Sequence, residues 1–223
     1  MRDSIRGRPV TVRRREIATH HGGHGLRCLH PDGFEPGTAA RRRCAVSELE
    51  PYYAGTPREE WPSAPTNPIH VVLDNLRSAY NVGSIFRTSD AGAVGHIHLC
   101  GMSAHPPHKK IEKTSLGAFA YVPWTYYERT GDALDLLHAQ GIPIVAVEVR
   151  PNAISHVVYP WPKPVAVVFG NEVFGIADKT LARCDAVVQI PMLGRKNTIN
   201  VATAFGIILY EILRRWNVLT TGL

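Results

Sequence analysis

The sequence predicts an α/β fold, a mostly parallel sheet flanked by helices, on three observations. From Ile69 onward, short apolar runs alternate with stretches of helical spacing, the order expected of stacked βα units. The run Val-Ala-Val-Val-Phe-Gly at 165–170 is rich in β-branched residues and shows no alternation, so both of its faces are expected to be covered, as in a parallel sheet. Val201, Ala204, Phe205, Ile208, Leu209, Ile212 and Leu213 recur at i, i+3, i+4, i+7 and i+8, which predicts a long C-terminal helix over 198–215.

The elements follow in order. Residues 1–68 mix arginine runs with Gly, Pro and His and carry few spaced apolar residues, so they read as a basic, loosely ordered extension ahead of a folded domain over 69–223. The first strand is expected at 69–74, followed by a helix over roughly 82–91 that stops at Gly92, because a glycine past the last turn is a common cap. A second strand is expected at 96–100. Residues 101–130, with Pro106, Pro107 and three lysines, read as a long functional loop holding one helical turn. A short helix at 132–141 with a glycine stop, a buried strand at 142–149, the run at 165–170 and a further strand at 186–191 complete the pattern before the last helix.

Charge and composition narrow the function classes. In a chain of 223 residues the net charge is +6, and residues 1–43 hold ten arginines against four acids, so the whole surplus sits in the N-terminal fifth. That distribution suits an arm directed at a polyanion. Cys28, Cys44, Cys100 and Cys184 are too widely spaced for a disulfide framework or a CxxC pair, so a reducing, cytoplasmic setting is the expectation. The Arg-rich, acid-poor opening is also how an organelle transit peptide looks. No run approaches eighteen apolar residues, and neither a membrane span nor a secretion signal is expected. His20, His21, His24, Cys28 and His30 lie close in sequence, but their spacing fits no zinc template, and no metal is expected. GxGxxG, the P-loop, HExxH and GxSxG are all missing.

Three polar and glycine-bearing clusters stand at the ends of expected strands, where open α/β sheets bind ligands. In the first, at 75–93, Asn81 precedes the helix and Arg87 lies six residues on; both are expected to lean toward the strand ends, or else to be a helix cap and a surface arginine. In the second, at 169–176, Gly170 ends a strand and Glu172 enters the next segment. There the glycine lets a ligand approach the backbone closely, or simply makes a tight turn with a capping acid. The third, at 190–204, carries Gly194, Arg195, Lys196, Asn197, Thr198 and Asn200 up to a helix N-terminus, a place that favours anions; the alternative reading makes Asn197 or Thr198 the cap of that helix. Lys109, Lys110 and Lys113 are either a solvated loop face or a set of phosphate contacts.

Taken in this order, the three clusters resemble the three motifs of the SPOUT superfamily, specifically the TrmH-type tRNA/rRNA ribose 2′-O-methyltransferases. The resemblance covers about residues 69–216, and Pro-His-Lys-Lys-Ile-Glu-Lys-Thr-Ser-Leu-Gly-Ala at 107–118 is similar to the family's linker after its second strand. It implies a C-terminal deep trefoil knot whose loops bind S-adenosylmethionine largely through backbone groups. Here those loops are the end of the strand at Val147 and Glu148, the turn at Gly170, and Ile190 through Ile199, with Met192, Gly194 and Thr198 between. The family's Asn and Arg separated by six map onto Asn81 and Arg87, its second-motif Glu onto Glu172, and its third-motif Asn onto Asn200. Thr198 stands where the family usually has Ser, and Thr-Ile-Asn-Val-Ala-Thr-Ala replaces the more usual Ser-Leu-Asn-Val-Ser-Val-Ala.

What the resemblance implies for function is methyl transfer from S-adenosylmethionine to a ribose 2′-hydroxyl of tRNA or rRNA. Catalysis would fall to Arg87, Asn81, Glu172, Thr198 and Asn200, and RNA contacts to Arg87, Lys109, Lys110, Lys113, Arg195 and Lys196. A homodimer is also implied, with the helix at 198–215 supplying part of the contact or serving as core. The competing expectations are a base-methylating member of the same superfamily and an RNA-binding protein that has kept the fold without turnover.

Overall fold

The computed structural model describes residues 66–220, and the arginine-rich arm and its His/Cys group lie outside the described residues. Seven parallel strands form one sheet: β1 (Asn67–Asp74), β2 (Val94–Cys100), β3 (Trp124–Tyr127), β4 (Ile144–Val147), β5 (Ile154–Ser155), β6 (Val165–Phe169) and β7 (Ala186–Gln189). Their spatial order is β3-β2-β1-β6-β4-β7-β5. The helices are α1 (Ala79–Ala91), α2 (Lys109–Ser115), α3 (Thr130–Ala139), α4 (Asp178–Leu181) and α5 (Val201–Arg215).

Alternation along the strands divides the core into two layers. Val71 and Leu73 of β1, Ile97 and Leu99 of β2, and Val167 and Phe169 of β6 pack with Ile85 and Phe86 of α1 and with Phe205, Leu209 and Ile212 of α5. The intervening Val72, Ala146, Ala166 and Val168 face Ala133, Leu134 and Leu137 of α3. All five residues of β6 are buried, as its unbroken apolar run predicts. The β2 run His-Ile-His-Leu-Cys sends its imidazoles to the α3 side, where His98 is only 2% exposed.

The helix ends differ from the sequence expectation in instructive ways. Ser78, and not Asn81, caps α1, its hydroxyl accepting the Asn81 N–H at 3.3 Å. The helix does stop at Gly92, but the left-handed residue is Ala93 (φ 48°), and the small size of Gly92 is needed because a Cβ there would lie 2.6 Å from Leu209 Cδ2. Helix α5 begins at Val201, capped by Asn200, which leaves Thr198 in the preceding loop. The expected single helical turn at 101–130 is α2 followed by a 3₁₀ turn and then the edge strand β3. Helix α2 buries only Ile111 and Ser115, too few positions to establish a helical period.

Candidate functional site

Because every strand pair is parallel, the carboxyl ends of β1, β4, β6 and β7 lie at one edge of the sheet. The three sequence clusters leave the sheet there. They are joined by a single polar chain. Glu172, after β6, accepts the backbone N–H of Arg77 at 2.8 Å and of Ser78 at 3.0 Å, together with Asn81 Nδ2 at 2.8 Å. Asn81 Oδ1 accepts Asn200 Nδ2 at 3.1 Å. Asn200 Oδ1 in turn accepts the N–H groups of Ala202 (2.9 Å) and Thr203 (3.4 Å).

The direction of this chain follows from chemistry. An ionised carboxylate only accepts, so Asn81 must present its amino group to Glu172 and its oxygen to Asn200, which must then donate and keep its own oxygen for the helix. Burial pushes the Glu172 carboxyl up, but the hydrogen bonds from Asn81, Arg77 and Ser78 outweigh that and hold it below the usual carboxylate range. Glu172 is therefore ionised at neutral pH and ties the N-terminus of α1 to the turn after β6.

That turn is closely built. Asn171 and Gly175 exchange backbone hydrogen bonds at 3.1 and 2.8 Å, and Asn171 Oδ1 accepts the N–H groups of Val173 and Phe174 at 2.9 and 3.1 Å. Asn171 Nδ2 reaches across to the carbonyl of Asn75 at 2.8 Å. A Cβ on Gly170 would sit 2.4 Å from the carbonyl carbon of Gly175, so the backbone that approaches Gly170 most closely belongs to its own turn. Glu148 is spent locally too: its carboxylate accepts the N–H of Ile176 at 2.8 Å and of Val149 at 3.0 Å.

Between these loops lies a cleft of about 580 Å³. Of the residues expected to bind cofactor, Val147, Glu148, Gly170, Ile190, Met192, Thr198 and Ile199 line it, as do Glu172 and Asn200. Gly194 is not among the lining residues, and a Cβ on it would meet nothing within 4 Å. From Met192 to Ile199 no backbone N–H is engaged with another group among the described residues.

Arg87 stands apart from this cleft. Six residues at about 100° each place it roughly 120° around α1 from Asn81 and about 9 Å along the axis, so the two side chains do not converge. It is exposed and makes no ion pair among the described residues. Lys109, Lys110 and Lys113 are exposed on α2, with Lys110 Nζ 5.3 Å from the Tyr80 ring, and Arg195 and Lys196 are exposed on the loop before α5. Among the described residues no group of three or more His, Cys, Asp or Glu is placed to hold a metal, and no helix is long and apolar enough to cross a membrane.

Sequence reasoning passed over Asn171, Arg150, Phe174 and Gln189, all of which line the cleft. Only Asn171 left a legible signal. An Asn three and four residues ahead of Phe174 and Gly175 is the pattern of a side chain that caps its own turn.

Comparison with known proteins places these features in a lineage. The sequence pattern described as the SpoU rRNA Methylase family matches residues 68–210. The chain is 31% identical over 145 residues to the tRNA (guanosine(18)-2′-O)-methyltransferase of Thermus thermophilus, covering 65% of this chain and 74% of that one. Among solved structures it is similar to the SpoU methyltransferase AviRb from Streptomyces viridochromogenes in complex with the cofactor AdoMet, with a TM-score of 0.64 and 25% identity over 70% of this chain and 63% of that one. It is also similar to the AdoMet-bound rRNA methyltransferase from Sinorhizobium meliloti, with a TM-score of 0.62 and 29% identity over 66% of this chain and 56% of that one. The chain thus spans less than two thirds of either solved relative.

Proposed function

Because the chain belongs to the SpoU rRNA methylase family, we propose that it is an S-adenosylmethionine-dependent RNA methyltransferase acting on a ribose 2′-hydroxyl of tRNA or rRNA. The observation that carries this reading is the Glu172–Asn81–Asn200 chain, which links one residue from each of the three motif segments beside the cleft. The same lineage implies a trefoil knot. A strand order with β4 between β6 and β7, and a cleft closed jointly by the loops after all three, support that reading.

The cleft suits S-adenosylmethionine. Val147, Phe169, Ile190 and Met192 offer an apolar wall for an adenine ring and a thioether chain, and the free N–H groups of 192–199 offer backbone donors for its polar parts. When bound, the cofactor would supply a sulfonium-activated methyl group to the ribose hydroxyl, whose proton would be given up to solvent.

The chain's own residues have to orient the hydroxyl and steady the charge that develops on it. Arg87, a cation without a protein partner among the described residues, stands apart from the cleft of its own protomer and serves the cleft of a second copy across the homodimer, where it holds the adjoining phosphate and stabilises the developing negative charge on oxygen. It does not act as a base, because a guanidinium stays protonated at any accessible pH. Asn81 retains one amide hydrogen and Thr198 carries an exposed hydroxyl, and these position the ribose. Exposed Ile207 and Tyr210 on α5 and Tyr80 on α1 provide apolar contact area for a homodimer, which brings a second copy's surface to the Arg87 side of α1. The Arg-rich segment 1–43 adds salt-sensitive RNA affinity in a cytoplasmic setting, so its deletion flattens the salt dependence of RNA binding and leaves cofactor affinity unchanged.

The test is methyl transfer from labelled S-adenosylmethionine to total tRNA and to rRNA, alongside calorimetric titration of the cofactor. Arg87→Ala is expected to abolish transfer while binding cofactor normally. An active Arg87→Ala protein overturns the role given to Arg87, and a wild-type protein that binds the cofactor but methylates neither RNA overturns the enzymatic reading.

A further inference from the structure

A second cleft, of about 500 Å³, lies on the other side of the turn at 171–175. Asn171, Val173, Phe174 and Gly175 belong to both clefts, so this turn is a partition between them. The second cleft is bounded by Asp74 and Asn75 at the end of β1, Arg77, Met102 after β2, and Ala177, and its surface is mostly apolar. Its size falls within the roughly 300–1,000 Å³ range of pockets that take small ligands.

Two features of this cleft have no structural explanation within the fold. Phe174 is 87% exposed and Met102 is 62% exposed, although burial is the rule for both residue types. Phe174 is not on a loose loop. Its own N–H is held by Asn171 Oδ1, and the next residue, Gly175 (φ 67°), is fixed by the backbone bridge to Asn171. A ring held out by a fixed backbone, and left largely uncovered among the described residues, is suited to stacking. Polar groups stand around it. The Arg77 guanidinium is exposed at the rim and makes no ion pair among the described residues, while its N–H is anchored on Glu172. At the floor, Asp74 Oδ1 accepts Asn75 Nδ2 and Thr130 Oγ1, and Oδ2 has no donor among the described residues.

We propose that this second cleft receives a nucleobase of the RNA, stacked on Phe174 beside Met102, with Arg77 on an adjoining phosphate. The proposal rests on the methyltransferase reading and deepens it. A ribose brought to the first cleft carries its base with it, and a mostly apolar space lies across the shared turn. Placing the base there offsets part of the cost of taking it out of a stack. The open Asp74 oxygen favours a base that offers an N–H donor from its edge.

The experiment compares wild type with Phe174→Ala, Phe174→Trp, Arg77→Ala and, as a control at an exposed apolar residue that lines neither cleft, Val158→Ala. Three quantities are measured: affinity for unfractionated tRNA and rRNA at fixed salt, calorimetric affinity for S-adenosylmethionine, and KM against kcat for transfer. Stacking one base on an aromatic ring is worth about 1–3 kcal/mol, so Phe174→Ala should weaken RNA binding and raise KM by roughly 5- to 150-fold. Phe174→Trp should retain binding, Arg77→Ala should weaken it with a smaller salt slope, and Val158→Ala should match wild type. Cofactor affinity should stay within about twofold for Arg77→Ala and Val158→Ala, and should fall by much less than RNA affinity for Phe174→Ala, whose residue lines both clefts. Unchanged RNA binding by Phe174→Ala overturns the proposal, as does a parallel loss of cofactor affinity, which would assign the ring to the first cleft. Either result leaves the methyltransferase reading intact if wild type still transfers methyl groups. A wild type that binds cofactor and does not methylate overturns that reading, while the binding comparison still decides the role of Phe174.

Discussion

Replacing Glu172 by Gln removes one carboxylate oxygen and the negative charge while keeping the shape of the side chain. In the wild type three donors converge on that carboxylate, from Arg77, Ser78 and Asn81. A glutamine keeps one acceptor oxygen and turns an amino group toward a position occupied by a donor. If its oxygen stays with Ser78 and Asn81, the Arg77 N–H is left facing an NH₂ group. Hydrogen bonds to a charged group are worth about 1.5–3 kcal/mol each, and partial solvation of this carboxylate moves the expected loss to about 1–2 kcal/mol. For a domain of this size that corresponds to a fall in Tm of roughly 2–8 °C. The pH profile supplies an independent check. A carboxyl held below its ordinary value of 4.5 contributes stability that is fully present above that value and is lost as pH falls through the depressed one. The wild-type and Glu172→Gln stabilities should therefore differ at pH 7 and converge in acid. Urea unfolding across pH 7 to 3 reads both effects. Equal stability of the two proteins at pH 7 would refute the claim that this carboxylate ties the three segments together.

Three further outcomes follow from the geometry. Gly170→Ala forces a Cβ to within 2.4 Å of the Gly175 backbone, so the turn must move. Titration should show at least tenfold weaker S-adenosylmethionine binding, with circular dichroism unchanged; normal affinity would remove Gly170 from the site. His98 is held near 3, first by burial and then by the charges of His96 and His70, so it stays neutral in the folded protein where an unfolded chain takes up a proton near 6.5. Stability is thus complete above 6.5 and declines as pH falls toward 3, by about 2 kcal/mol at pH 5 from this residue. Urea midpoints at pH 7.5 and 5 check it, and identical values would contradict the burial of a neutral imidazole. Asn200→Ala removes the cap of α5 and the link to Asn81, which should cost about 1–2 kcal/mol in a denaturation curve. A loss no greater than a few tenths would mean that the cap is dispensable.

The layering of the fold is legible because burial imposes periodicity. The unbroken run of β6 and the long stripe of α5 each have one physical solution, and the structure adopts it. In 101–130 only one helical turn is legible, which α2 extends to seven residues, and strand β3 is hidden, because neither has a repeating buried face: α2 buries two residues, and β3 is a half-exposed edge strand. For the site, glycine and amide residues at strand ends mark the right loops. Their partners are another matter. Glu172 bonds to Asn81 across 91 residues of chain and Asn81 to Asn200 across 119, and no local pattern encodes such pairings. The six-residue spacing of Asn81 and Arg87 suggested convergence on the strand ends, whereas the helical pitch turns them apart. The reason for Gly170 also differs from the sequence expectation, since the group pressing on it is the Gly175 backbone.

The central claim concerns what is transferred and to which atom. Purified full-length protein incubated with labelled S-adenosylmethionine and unfractionated tRNA or rRNA, followed by digestion to nucleosides, reads both at once. The account predicts label on a 2′-O-methylated ribose, with the modified linkage resistant to alkali, and none from Arg87→Ala. Label on a base, or a wild-type protein that binds the cofactor and leaves both RNAs unmodified, would contradict it.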